Sequence, residues 1–359
     1  MSITRSVVAM YPLGRAQSHC STLLTLGEVT LVAWFAGAHE GAPDSRIMLA
    51  RRLGGRGFNE PYLLWDEGPP QWNPVLETGP DQRIWLFFRR GPNIQTWTTW
   101  VTRSADRGRT WSTPELLVPG DCGGRGPVRN PPVIYGGVWV APGSVERWGE
   151  PPRWDCFVDL YDGQRWQQVP IPLDHTRLRG AGCIQPALVE QGGALVALAR
   201  STAGAVFRCE TRDPYHWPAL QPTSLPNNNS AISAVNLPDG QIACVHNPSR
   251  ENWGARCPLV ISVCSDGRSW QRRVTVESGA ALDEAPPPAT SDGRPDTAHA
   301  TGVVTTGAGE YSYPSARVVG DQLWISYTWQ RQGIVEARVP LAELRVNRPV
   351  AEAPGTGRC

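Results

Sequence analysis

The chain has 359 residues and is nearly neutral, with 34 Lys plus Arg against 33 Asp plus Glu. It contains no lysine, which excludes a GxxxxGK[ST] phosphate loop, a Schiff-base lysine and a Ser-Lys dyad, and the balanced charge argues against a general nucleic-acid binder. With 37 Gly, 34 Pro and 16 Trp, the composition is that of an all-β globular chain that turns often and packs large aromatic side chains.

No apolar run approaches the roughly 18 residues that would cross a bilayer. Residues 1–17 lack the apolar core and small-residue cleavage site of a secretory signal, so no membrane partner and a cytoplasmic location are expected. The 9 cysteines are scattered and form no CxxC pair, and no DxDxDG loop occurs. Neither a disulfide framework nor a metal or other cofactor is therefore expected.

Taken in chain order, short apolar stretches rich in β-branched and aromatic residues alternate with Gly/Asp turns. Examples are TTWVTRS (98–104), VIYGGVWVAP (133–142), ALVEQGGALVALAR (187–200) and ARVVGDQLWISYTW (316–329). An aromatic residue after a turn recurs at Phe58, Trp111, Trp166, Trp217 and Trp270, at separations of 53, 55, 51 and 53 residues. A polar residue before an apolar stretch recurs alongside it at Asn73, Asn130, Gln185, Asn229 and Tyr313, at separations of 57, 55, 44 and 84 residues. Four strands in about 50 residues make one propeller blade, and counting from Ser21 gives six. The expectation is a single six-bladed β-propeller domain over 1–359. Residues 278–309, rich in Pro, Ala, Thr and Gly, form a long loop insertion or a disordered stretch.

Ser104-Ala105-Asp106-Arg107-Gly108-Arg109-Thr110-Trp111 fits S-x-D-x-G-x-T-W, the Asp-box of sialidases and the wider BNR-repeat group. A degenerate copy runs through Val263, Ser265, Gly267, Ser269 and Trp270. The box is a structural device, its Ser and Asp satisfying a turn and its Trp packing between blades. More of the chain, from about 19 to 340, resembles a sialidase-like branch of that group. The resemblance rests on WFAGAHEG (34–41), WNPVL (72–76), Ile184-Gln185-Pro186, GARCPL (254–259) and EYSYPS (310–315). One departure stands out: the Arg-Ile-Pro element that supplies a carboxylate-clamp arginine in sialidases is replaced by His19-Cys20-Ser21.

In an up-and-down blade the start of strand one and the end of strand two lie on one face. This places His19, His39, Glu40, Asp44, Asn73, Arg90, Arg129, Gln185, Arg200, Asn247, Arg256, Tyr313 and Arg331 around one mouth of the channel. The 278–309 segment joins blades on the same face as a possible lid. Guanidinium groups there suit a carboxylate. The resemblance implies Tyr313 as nucleophile and Asp44 or Glu40 as acid/base, with His19 a further proton-transfer candidate. Arg129, Arg200, Arg256 and Arg331 would hold the carboxylate, and Gln185, Asn73 and His39 would contact the sugar. Trp34, Trp97, Trp148, Trp253 and Trp329 lie near these loops. The implied activity is a sialidase-like exo-glycoside hydrolase whose partner is an oligosaccharide or glycoconjugate with a terminal carboxylate sugar. Two alternatives stand beside it: a uronate or rhamnose-uronate lyase with a histidine base, and a non-catalytic glycan-binding propeller.

Overall fold

A computed structural model describes residues 3–265, 268–290 and 293–345. Its strands form six four-stranded antiparallel sheets. Blade one comprises Gln17–Leu26, Val29–Gly37, Arg46–Leu53 and Tyr62–Leu63. Blade two comprises Gln71–Thr78, Ile84–Arg90, Thr98–Ser104 and Glu115–Leu116. Blade three is built from Val133–Tyr135, Val138–Arg147, Arg153–Tyr161 and Trp166–Ile171, and blade four from Cys183–Gln191, Ala194–Ser201, Ala205–Thr211 and Gln221–Pro226. Blade five takes Ser233–Asn236, Ile242–His246, Leu259–Cys264 and Trp270–Glu277. The helical elements among the described residues are three short 3-10 turns, and none is long or apolar enough to cross a membrane.

Blade six closes the ring. Its inner strands are Tyr311–Val319, Gln322–Trp329 and Gly333–Pro340, and its outermost strand comes from the other end of the chain: Thr4–Met10 lies antiparallel to Gly333–Pro340, with Thr4 opposite Arg338. Counting blades from Ser21 left this closing strand out. Joining first and last strands in one sheet ties the ring shut without a covalent link, and Arg5 adds an ion pair to Glu277 of blade five at 2.5 Å.

Apolar packing between neighbouring blades fills the ring, and each middle strand is covered on both faces. Val29–Gly37 reads VTLVAWFAG without polar alternation because all nine residues are buried. The five recurring aromatics fall at or between the third and fourth strands, as the period predicts. In the Asp-box, Asp106 Oδ1 accepts from the Arg109 and Thr110 amides at 3.0 and 2.9 Å, and the Gly108 amide donates to Ser104 Oγ at 2.9 Å. Trp111 packs on the core of blade one. Gly108 has φ +78°, and a Cβ there would meet the Leu31 side chain at 2.7 Å, so this close approach between blades requires glycine. In the degenerate box, Gly267 lies outside the described residues.

The polar repeat has a physical meaning the sequence did not disclose. Asn73, Gln185 and Tyr313 sit in left-handed backbone (φ 45°, 53° and 54°) at register shifts in the innermost strands, and Asn229 (62°) precedes that of blade five. In blade one the equivalent residue is Cys20, φ 59°. For a residue before proline this conformation is disfavoured, at a cost of about 1–3 kcal/mol each. The bulges re-aim side chains at the channel mouth.

The 278–309 segment is more ordered than expected. Residues 291–292 lie outside the described ones, but Thr297–His299 and Gly302–Val304 form a two-stranded hairpin. The Ile94 amide donates to Ala300 O at 2.6 Å and Gln17 Nε2 to Thr305 O at 2.7 Å. Gly41 lies so near the hairpin that a Cβ would fall 1.9 Å from Thr301 O.

Candidate active site

Tyr313 stands at the centre of the mouth. Its bulge turns the phenol toward the axis, where the hydroxyl accepts a hydrogen bond from Arg200 Nη1 at 2.7 Å. The same nitrogen donates to Gln185 Oε1 at 3.0 Å. The guanidinium carbons of Arg129, Arg200 and Arg256 lie 5.6, 5.6 and 5.5 Å from the ring centroid. Arg129 donates through Nη2 to the carbonyls of Tyr313 and Pro314 at 2.7 and 2.5 Å, so it fixes the strained bulge that carries the phenol.

His19 packs beside Tyr313, with ring centroids 4.1 Å apart, and is fully buried. Its Nδ1 is 3.0 Å from Thr328 Oγ1, while Nε2 has no hydrogen-bond partner among the described residues. Burial first, then the positive field of Arg331, Arg256, Arg129 and Arg200, holds its pKa well below the usual histidine value. His19 is therefore a neutral imidazole at neutral pH.

Two of the arginines are already neutralised. Arg256 Nη1 meets Glu310 Oε1 at 2.8 Å, and Arg331 bridges Glu310 through Nε at 3.0 Å and Glu40 through Nη1 at 2.5 Å. Burial pushes the Glu310 carboxyl up, but Arg256 and Arg331 outweigh it and hold the pKa at about 2, helped by the Ser312 hydroxyl at 2.5 Å. Arg129 and Arg200 have no carboxylate partner among the described residues. Glu146, at the end of strand two of blade three, lines the same cavity as Tyr313. Burial, opposed by Arg200 and reinforced by Glu40, lifts its pKa to about 7.

Trp72, Trp97, Trp148 and Trp253 wall the cavity, and His299 and Val303 of the hairpin close over it. The enclosed space is about 20 Å³, room for the centre of roughly one water.

The residues expected around the mouth divide into two groups. His19, Glu40, Asn73, Arg129, Gln185, Arg200, Arg256, Tyr313 and Arg331 are buried, and five of them (Glu40, Asn73, Gln185, Arg200 and Tyr313) line the cavity directly. Asp44 and His39 are exposed and line no part of the cavity: Asp44 caps the loop by accepting from the Ala38 amide at 3.1 Å and pairs with Arg15 at 3.2 Å, and His39 turns to Glu40 O. Arg90 stacks on Trp100 at 4.4 Å, and Asn247 holds backbone carbonyls of Pro258 and Tyr311. Trp34 and Trp329 are core residues with no exposure, whereas Trp97, Trp148 and Trp253 face the cavity.

Two residues were missed. Glu310 lies three positions before Tyr313 in EYSYPS, a stretch used only as a resemblance. Glu146 occupies the same blade position as Arg200, a signal that strand counting offers once the blades are aligned.

The BNR repeat-like domain model matches residues 29–325. Nothing matches among curated proteins. Among solved structures, a protein of unknown function from Dyadobacter fermentans DSM 18053 is 13% identical, with a TM-score of 0.69 over 94% of this chain and 99% of that one. The Hadza microbial sialidase Hz136 is 14% identical (TM-score 0.66), and the match covers 92% of this chain but 66% of that one. The intramolecular trans-sialidase from Ruminococcus gnavus, solved in complex with oseltamivir carboxylate, is 14% identical, with a TM-score of 0.62 over 96% and 99%. At these identities the likeness is one of fold. The Asp-box, the six four-stranded blades and a family match spanning most of the ring agree: the chain belongs to the BNR repeat-like domain family and has a sialidase-type propeller fold.

Proposed function

We propose that the protein is a sialidase-like exo-glycoside hydrolase acting on a terminal sugar that bears a carboxylate, with Tyr313 as nucleophile. The observation that carries this reading is the Tyr313 hydroxyl held at 2.7 Å by Arg200 in a buried, cation-rich cavity. A phenol approaches the anomeric carbon of an anionic sugar without the repulsion a carboxylate nucleophile would meet, and Arg200 stabilises the charge developing on its oxygen. Arg200 and Arg129 contribute positive charge with no carboxylate partner among the described residues; Arg256 and Arg331 must share theirs with Glu310 and Glu40. Asn73 and Gln185 fit sugar hydroxyls, and the tryptophan wall fits a pyranose face. Sialidases among the structural neighbours support a sialylated glycan as substrate. Of the two acid/base candidates in blade one, Glu40 faces the cavity but is committed to Arg331, and Asp44 faces solvent.

The test is release of fluorophore from a fluorogenic sialoside, compared between the wild type and Tyr313→Phe. Release that the variant loses supports the reading. A wild type silent on sialosides and on other acidic glycosides defeats it.

A second reading, a uronate lyase, is favoured by the His19–Tyr313 pair. A neutral imidazole whose Nε2 has no partner among the described residues, beside a phenol, suits removal of an α-proton by His19 and protonation of the leaving oxygen by Tyr313, with arginines neutralising the carboxylate. Its signature is ultraviolet absorbance from a new carbon–carbon double bond, dependent on His19.

A further inference from the structure

Two carboxylates line the cavity, and they are not equivalent. Glu40, from blade one, is tied to Arg331 at 2.5 Å. Glu146, from blade three, has no ion pair among the described residues and shares the cavity with Tyr313, Arg200 and Gln185, beside the Trp148 indole. We infer that Glu146 is the proton donor to the departing glycosidic oxygen and, in the second half of the reaction, the base that activates water. This role rests on the hydrolase reading.

Geometry and electrostatics select the same group. A general acid must face the reacting centre, keep its proton near neutral pH and recover it after turnover. The charged and titratable groups facing Glu146 are Arg200, Glu40 and Arg89, with His299 and Tyr313 across the cavity. Burial outweighs the two arginines there, so the carboxyl is protonated below about pH 7 and loses its proton above it. Glu310, the third carboxylate of the cluster, is locked between two arginines, and Asp44 is half exposed.

The protons balance over the two steps. In the first step the Glu146 proton passes to the glycosidic oxygen, the anomeric C–O bond breaks with its electron pair on that oxygen, and the Tyr313 oxygen bonds the anomeric carbon. The phenolic proton is lost to solvent as the hydroxyl, held by Arg200 at 2.7 Å, attacks. In the second step water gives a proton to the Glu146 carboxylate and its oxygen replaces Tyr313 on the sugar. The phenolate then recovers a proton from solvent.

The experiment compares wild type, Glu146→Gln and Glu146→Ala on two sialosides, one with an acidic aryl leaving group and one with a sugar alcohol leaving group. A lost proton donor costs at least about 100-fold in kcat/KM on the poor leaving group and less than about tenfold on the aryl glycoside. It also abolishes the basic limb of the pH profile near 7, and in Glu146→Ala azide restores turnover of the aryl substrate as a glycosyl azide. Equal losses on both substrates with the limb unchanged overturn the assignment and leave the hydrolase reading standing. A wild type that turns over neither substrate defeats that reading and the donor role with it.

Discussion

The rings of His19 and Tyr313 lie 4.1 Å apart at an interplanar angle of 47°, inside a ring of arginines. The pair joins strand one of blade one to strand one of blade six, the first and last inner strands of the propeller. The pairing therefore depends on ring closure, because residues 294 positions apart in sequence meet only when the sheet circle is complete.

Tyr313→Phe removes one oxygen and keeps the packing. Turnover of an acidic glycoside is expected to fall by about 10³-fold or more, because the proposed nucleophile is gone, while thermal stability changes by about 1 kcal/mol at most. Steady-state kinetics beside a melting curve separate the two effects. An equal fall in stability and activity would mark Tyr313 as a packing residue.

Buried histidines make stability depend on pH. His246 is held at about 4 and His19 lower than its ordinary value, both chiefly by burial, so the unfolded chain binds more protons than the native one below about pH 6.5. Their contribution is complete above that pH and is lost as pH falls through the folded values. For His246 it is on the order of 3 kcal/mol. Glu146 has the opposite sign, since its raised pKa favours the native state below about 4.5 and is lost as pH rises through about 7. Melting temperature measured from pH 7 to 4 should fall, and His246→Asn should flatten that fall.

Asp106→Ala should lower stability by about 1–3 kcal/mol without touching the site. The Asp106 carboxylate accepts from two amides and the Thr110 hydroxyl, and its loss removes the charge-assisted bonds that brace the Asp-box turn. Denaturant unfolding reports the first expectation, and unchanged kcat/KM the second.

Deleting residues 3–10 takes the outer strand from blade six and leaves Gly333–Pro340 as an open edge. The truncated chain should lose several kcal/mol and aggregate on heating, as measured by calorimetry and light scattering. A variant that melts like the wild type would show that the closing strand contributes little.

Replacing residues 297–304 with a short Gly-Ser link should open the cavity. The hairpin is held by Ile94 and packed on Gly41, and it leaves room for roughly one water. Association of an acidic sugar analogue should speed up in stopped-flow fluorescence of the wall tryptophans. Unchanged association would mean that ligands enter by another route.

Much was determined by the sequence alone. A period near 50, carried by Trp111, Trp166, Trp217 and Trp270, dictates six blades, because each repeat buries its apolar faces only against its neighbours. The Asp-box dictates one turn down to its hydrogen bonds, since Ser104, Asp106 and Thr110 act within eight consecutive residues. Strand position also places Tyr313 and the arginines at one end of the ring, while the role given to Tyr313 comes from the resemblance. The tertiary structure decided the rest, for one physical reason: charge partners and burial are properties of three dimensions. Only in the folded ring does Arg331 meet Glu40 and Glu310, leaving Glu146 the cavity carboxylate with no ion pair among the described residues, while Asp44, four residues from Glu40, faces water. Only there does Thr4–Met10 find Gly333–Pro340, and only there does a Pro/Gly-rich segment become a hairpin over the site.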